Sequence, residues 1–285
     1  MGRFANSWST VKASWEVLKK DKELMLFPIF SGIASLIVIV SFVAPTWFSG
    51  LMDRAMNDDP NAQGAVTLLY FVMYLVLAFV TIYFNSALIF GATERLAGGD
   101  PTIASSLRGA NQRLGKIFVW ALFAGTVSLL IHLLERATRG RNQFIAHLVV
   151  QLVGAAWALA TYFAIPIVLF EDHGVGASLK RSAQLFRQTW GESAVGQYGI
   201  GFVFGLISFL VILATLALLY VAAPLETVAI AAILVVGLVA FALVTITGLA
   251  LGAIYKAALY RYATKGTEPV YFPKPMIENA FYSRA

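Results

Sequence analysis

The chain has 285 residues, of which 59% are hydrophobic, 13% are charged and none is cysteine, and its mean hydropathy is +0.76. Soluble domains carry about 25% charged residues, so a soluble globule is excluded, as are a disordered chain and a disulfide-stapled scaffold. The net charge of +6 then belongs to the ends and loops of a multispanning membrane protein.

In chain order, the first feature is helical periodicity. Phe4, Trp8, Val11, Trp15 and Leu18 recur at spacings of 4, 3, 4 and 3, a stripe about 80° wide on a helix. Lys12, Lys19 and Lys20 lie off it. Such a helix is expected to lie flat in the membrane interface with its aromatics down. Six runs then reach the roughly 20 apolar residues needed to cross the hydrocarbon core: 24–48, 65–90, 117–134, 147–170, 194–220 and 227–255. They are continuous, whereas barrel strands alternate over about ten residues. The first run is as long as a full span and no Ala-x-Ala site follows it, so it is expected to remain as an anchor. Pro166 is expected to kink the fourth helix near its inner end, and Pro224 marks a hinge between the last two spans.

Of the 21 Lys and Arg, 17 fall before the first span, in the second and fourth loops, and after the sixth span. The positive-inside rule places that side, with both termini, in the cytoplasm of a cell (plasma) membrane. The short third loop, with Arg136, Arg139 and Arg141, runs against this assignment. A basic inner face suits anionic lipid headgroups, and the second partner it suits is a protein in the membrane. No nucleic-acid motif accompanies these residues.

The helical spacing returns at Ile103, Leu107, Ala110 and Leu114, and at Val175, Leu179, Ser182, Phe186 and Trp190. Ser106-Leu107-Arg108 matches Ser178-Leu179-Lys180, and Gln112 matches Gln184, at an offset of 72. Each such segment precedes an odd-numbered span. The chain parses as three parallel repeats, 1–98, 99–172 and 173–264, followed by a tail, 265–285. The fold expected is an all-α polytopic membrane helical bundle, with six transmembrane helices and three amphipathic helices at the cytoplasmic face.

A proline near the inner end of a span, an acid, and a helix opening with Ala-x-x-Lys-Arg-Ser form one block, from Pro166 through Glu171 to Ala177, Lys180, Arg181 and Ser182. With Phe4-x-x-x-Trp8 and Leu26-Phe27-Pro28, it resembles an uncharacterised prokaryotic family of six-span membrane proteins. More distantly it resembles the membrane domain of glycerophosphodiester phosphodiesterases. Those enzymes carry their active site in a separate soluble domain, so the resemblance does not imply that activity here.

Groups for chemistry are scarce. His132 and His147 flank the third loop with Glu135 the nearby acid, and they read as interface histidines rather than metal ligands. Glu171-Asp172-His173 reads as a helix end and turn, with a salt bridge expected from Glu171 to Lys180 or Arg181. Polar residues within spans mark transport paths or interhelical hydrogen bonds; Asn85, Gln151 and Thr161 are the candidates for a path. Gly201-x-x-x-Gly205 and Gly248-x-x-x-Gly252 are expected to pack the fifth and sixth helices closely. No phosphate loop or hydrolase motif is present, and nothing calls for a metal or cofactor. The expected function is non-catalytic: a scaffold or accessory subunit acting through Phe4, Trp8, Trp15, Leu107, Arg108, Leu179, Lys180, Arg181, Phe186 and Trp190. The alternative is a transporter or lipid-handling protein for a neutral or lipidic small molecule.

Overall fold

The computed structural model describes residues 3–138, 144–222, 227–266 and 271–272, with backbone alone at 3–10 and 190–198. The side chains of Phe4, Trp8 and Trp190, the loop arginines Arg139 and Arg141, the Pro224 hinge and most of the tail lie outside what is described. All regular structure among the described residues is helical. The elements are α1 (Arg3–Lys20), a 3-10 turn (Lys22–Met25), α2 (Leu26–Phe48), α3 (Leu51–Met56), α4 (Pro60–Leu96), α5 (Ile103–Asn111), α6 (Leu114–Ala137), α7 (Phe144–Ala160), α8 (Ala164–Phe170), α9 (Val175–Gln188), α10 (Trp190–Ala222) and α11 (Thr227–Lys265). Among the described residues six stretches are long and apolar enough to cross a membrane: Lys22–Phe48, Pro60–Leu96, Leu114–Ala137, Phe144–Phe170, Gly199–Ala222 and Thr227–Lys265.

The chain divides into two compact units. The first comprises Met1–Pro28, Gly91–Thr102 and Gln188–Ala285. Its α10 and α11 pack on each other and both pack on α1. Along α11 the environment changes sharply. Val235 and Leu238 are 60% and 68% exposed, whereas Ala250 to Ile254, Tyr255 and Ala257 to Tyr260 are buried. A helix of this length, roughly 58 Å at 1.5 Å per residue, exceeds the roughly 30 Å hydrocarbon core. The exposed apolar stretch suits lipid, and the buried stretch is packed by protein. Val17, Leu18, Leu24 and Phe27 complete this core.

The second unit comprises Ile29–Phe90 and Ile103–Arg187. Here α6 packs on α7 and α8. Gly125 lets α6 approach α4: a Cβ there would stand 3.2 Å from Ala78 and 3.3 Å from Leu75. Phe79 meets Phe118 edge-on at 5.5 Å, Phe123 meets Trp157 at 5.8 Å, and Trp157 donates its indole N–H to Ser128 Oγ at 3.2 Å.

The fourth span is broken rather than bent. α7 ends at Ala160 and α8 begins at Ala164, one turn ahead of Pro166. Proline has no N–H for the carbonyl four residues back, and its ring crowds that carbonyl. The chain therefore turns through 161–163, where Ala164 N–H reaches Thr161 O at 3.0 Å in a tighter i−3 bond.

Candidate functional site: a basic helix face beside an apolar cleft

The helix α1 has the expected periodicity, but it faces differently. Val11 and Leu18 of the apolar stripe are buried, and so are Ser14 and Val17, which the stripe omits. Trp15 is 40% exposed. The buried face is thus centred near Ser14 and Val17 and packs on α10 and α11, with Trp15 left at its edge. The expectation that the whole stripe lies down in lipid is corrected here: protein, not lipid, covers Val11 and Leu18. Just beyond α1, the buried Asp21 holds Arg95, which also reaches Asp100. This clamp fixes the end of α4 to the start of the first span. Sequence reasoning missed it because the partners are 74 residues apart and neither motif names the other.

Beside Trp15 lies a cleft of about 680 Å³, open along one side. Val11, Lys12, Trp15, Glu16 and Lys19 form its α1 wall. Val203, Phe204 and Ile207 of α10 form a second wall, and Leu243, Val244, Thr247 and Leu251 of α11 a third. Lys19 Nζ pairs with Glu16 at 2.9 Å.

The glycines of α10 and α11 act unequally. A Cβ at Gly248 would stand 3.0 Å from Phe204 Cβ, and one at Gly237 would stand 2.5 Å from the Thr215 side chain. Gly252 is buried. At Gly201 and Gly205 a Cβ would meet nothing within 4 Å among the described residues. The first glycine pair therefore does not make the close approach expected of it; Gly248 and Gly237 do, against side chains of α10.

The other two short helices dock similarly within the second unit. On α5, Ser106, Gly109 and Ala110 are buried, Leu107 is half-buried and Arg108 exposed. A Cβ at Gly109 would fall into the Phe90 ring of α4, and Tyr83 of α4 donates its hydroxyl to Asn111 Oδ1 at 2.8 Å. On α9, Ser178, Ser182, Leu185 and Phe186 are buried, Leu179 and Arg181 are half-buried, and Lys180 is exposed. Phe186, expected at the membrane interface, is 5% exposed and packs edge-on against Tyr162 at 5.5 Å. Ser182 Oγ accepts the Phe163 N–H left over by the break in the fourth span, at 2.9 Å.

One residue recurs in all three helices. Ser14, Ser106 and Ser178 are 0%, 1% and 0% exposed, and each stands three residues after Val11, Ile103 and Val175 respectively. Each Oγ is buried and makes no hydrogen bond among the described residues. A small side chain there lets its helix backbone sit close against the neighbouring span.

The acidic triplet is an ionic corner. Glu171 pairs with His173 at 2.9 Å and with Arg181 at 3.4 Å. Asp172 pairs with Lys116, and with Arg113 at 3.4 Å. The Lys116 ammonium first, and the Arg113 guanidinium second, hold the Asp172 carboxyl below its ordinary pKa. The triplet thus joins the start of α6 and the first turns of α9 to the turn that follows α8.

The histidines are separately engaged: His132 with Glu135 at 3.6 Å, His147 with Gln151 at 3.0 Å. Among the described residues no group of three or more His, Asp or Glu could hold a metal ion. The three candidates for a transport path are not brought together. Gln151 is exposed on α7 and engages His147 one turn away. Thr161, in the turn just after α7, donates to the Trp157 carbonyl of that helix at 2.8 Å. Asn85 is half-buried on α4.

Six apolar helices of spanning length, wholly helical described structure and charge gathered at helix ends define a multi-pass integral membrane protein. The chain belongs to a family of unknown function (DUF6159), whose model matches residues 64–270. No curated protein matches it. The family match does not show the likeness to the glycerophosphodiester phosphodiesterase membrane domain.

Proposed function

We propose that this protein is a non-catalytic scaffold or accessory subunit of the cell (plasma) membrane, working through the basic faces that α1, α5 and α9 each carry. The observation that supports it is the division of each short helix. One side is buried in protein, while Lys12, Lys19 and Lys20 of α1, Arg108 of α5, and Lys180 and Arg187 of α9 are exposed. These helices precede the first, third and fifth spans, so alternating passage puts them on one side of the membrane. The concentration of Lys and Arg there makes that side cytoplasmic, where anionic lipids and the cytoplasmic surfaces of other membrane proteins are met. The test is purification of the full chain in native nanodiscs with mass spectrometry of what is retained. A stoichiometric membrane partner that is lost with Arg108→Glu and Lys180→Glu supports the reading. Its retention in those variants overturns it.

A second reading, transport or handling of a neutral or lipidic small molecule, is favoured by the apolar cleft beside α1. Uptake of such a molecule into proteoliposomes containing the chain alone would put it first.

A further inference from the structure

The cleft between α1, α10 and α11 lies within the first unit, and its geometry restricts what can fill it. Around α1, Val11, Trp15, Lys19, Lys12 and Glu16 follow one another over about 140°, so the wall passes from apolar to charged within one face. The α10 wall is apolar, and so is the α11 wall but for Thr247, whose hydroxyl donates to the Leu243 carbonyl of its own helix at 2.7 Å; Gly248, lacking a Cβ, lets Phe204 sit against α11. Val203 and Phe204 lie in the first half of the fifth apolar run, 194–220, and Leu251 lies near the end of the sixth, 227–255. The cleft therefore lies toward the end of this helical pair where α10 begins and α11 finishes. A volume of about 680 Å³ falls in the 300–1,000 Å³ range of small-molecule sites.

An occupant must therefore be apolar along most of its length and charged at one end. The sign of that charge follows from the rim. Among the described residues Glu16 is the single acid lining it, and it is engaged by Lys19 at 2.9 Å. Lys12 is exposed and makes no ion pair among the described residues. Two cations against one anion leave a net positive rim. A zwitterionic lipid would set its own ammonium against these lysines, whereas a net-anionic headgroup would not. Trp15, half out of the protein between the lysines and the apolar walls, is the residue type favoured at headgroup depth.

We infer that this cleft holds one anionic phospholipid, an acyl chain lying along Phe204, Val244 and Leu251 and the phosphate meeting Lys12 and Lys19. The inference rests on the membrane side assigned to α1 above. Its test reads lipid rather than protein partners, so the two can fail separately.

The experiment uses the full chain in nanodiscs of phosphatidylcholine doped with phosphatidylglycerol, with native mass spectrometry of lipid kept as the detergent-free particle is activated. The expected result is one phosphatidylglycerol retained in preference to phosphatidylcholine. Its retention should fall about fivefold in either Lys12→Gln or Lys19→Gln, and about 30-fold in the pair, at roughly 1 kcal/mol per cation near an anionic headgroup. Val244→Trp, which fills the apolar part and leaves the lysines, should abolish it; if that variant aggregates, Ile207→Trp at the partly exposed edge takes its place. Equal retention of the two lipids overturns the inference. So does unchanged retention in the lysine pair or in the filled variant, and so does a protein helix found in the cleft in place of lipid.

Discussion

Ser182 of α9 accepts the backbone N–H of Phe163 at 2.9 Å in a buried bond, so the break in the fourth span is closed by a side chain from the helix that follows it. An N–H left without a partner away from water costs about 1–3 kcal/mol. Ser182→Ala should therefore destabilise the protein by about that amount in detergent, read by thermal or denaturant unfolding. Ser178→Ala, whose Oγ makes no hydrogen bond among the described residues, should cost little. Equal losses in the two would show that the Ser182 bond is not what holds the break.

The buried serines set a limit on size. Enlarging Ser14, Ser106 or Ser178 to Leu forces a short helix away from the surface it is packed on, and overpacking costs about 1–3 kcal/mol. Each variant should lower the unfolding midpoint, and Arg108→Leu, on the exposed side of α5, should not. Three silent serine variants would contradict the close docking described here.

Glycine positions separate cleanly. Gly248→Ala brings a Cβ to 3.0 Å from Phe204 and should destabilise the α10–α11 pair. Gly205→Ala meets open space and should gain up to about 1 kcal/mol from helix propensity. Gly109→Ala should be destabilising and partly rescued by Phe90→Ala, since the ring is what the new Cβ meets. Unfolding midpoints of the four variants decide the matter, and a loss at Gly205 equal to that at Gly248 would refute it.

The Asp172 corner predicts a pH dependence with a definite sign. Its carboxyl is held below the ordinary 3.8 by Lys116 and Arg113. A depressed folded-state pKa contributes stability that is present above the unfolded value and lost as pH falls through the folded one. Wild type should exceed Asp172→Asn in stability at pH 7, and the gap should close as the pH is taken below 3.8. A gap that persists or widens in acid would mean that the carboxylate charge is not what ties the turn to α6.

Much of this was legible in the sequence because length and apolarity alone specify a span. All six runs recur as helical stretches, the fourth as α7 and α8 on either side of a break, and α4 and α11 each outrun the apolar run by about three turns. What periodicity cannot tell is which apolar surface meets lipid and which meets protein, since both select the same residues. Hence Val11, Leu18 and Phe186, read as interface residues, are buried in protein. Proline placed a distortion in the fourth span correctly in kind, but the break falls a turn earlier at 161–163, and nothing marks Ser182 as its partner. The glycine pairs were recognisable as motifs without an azimuth, so Gly248 and Gly201 looked equivalent. The clamp of Arg95 on Asp21 and Asp100 joins residues from separate segments and leaves no local pattern.

The central claim is that the basic faces of α1, α5 and α9 meet the cytoplasm. The chain has no cysteine, so single cysteines can be placed at the exposed Lys20, the last residue of α1, and Asn57, just after α3, and labelled with a membrane-impermeant maleimide. The account predicts that Asn57→Cys reacts in intact cells and Lys20→Cys reacts only after permeabilisation. The reverse pattern would contradict it and put the lysine-rimmed cleft on the outer leaflet.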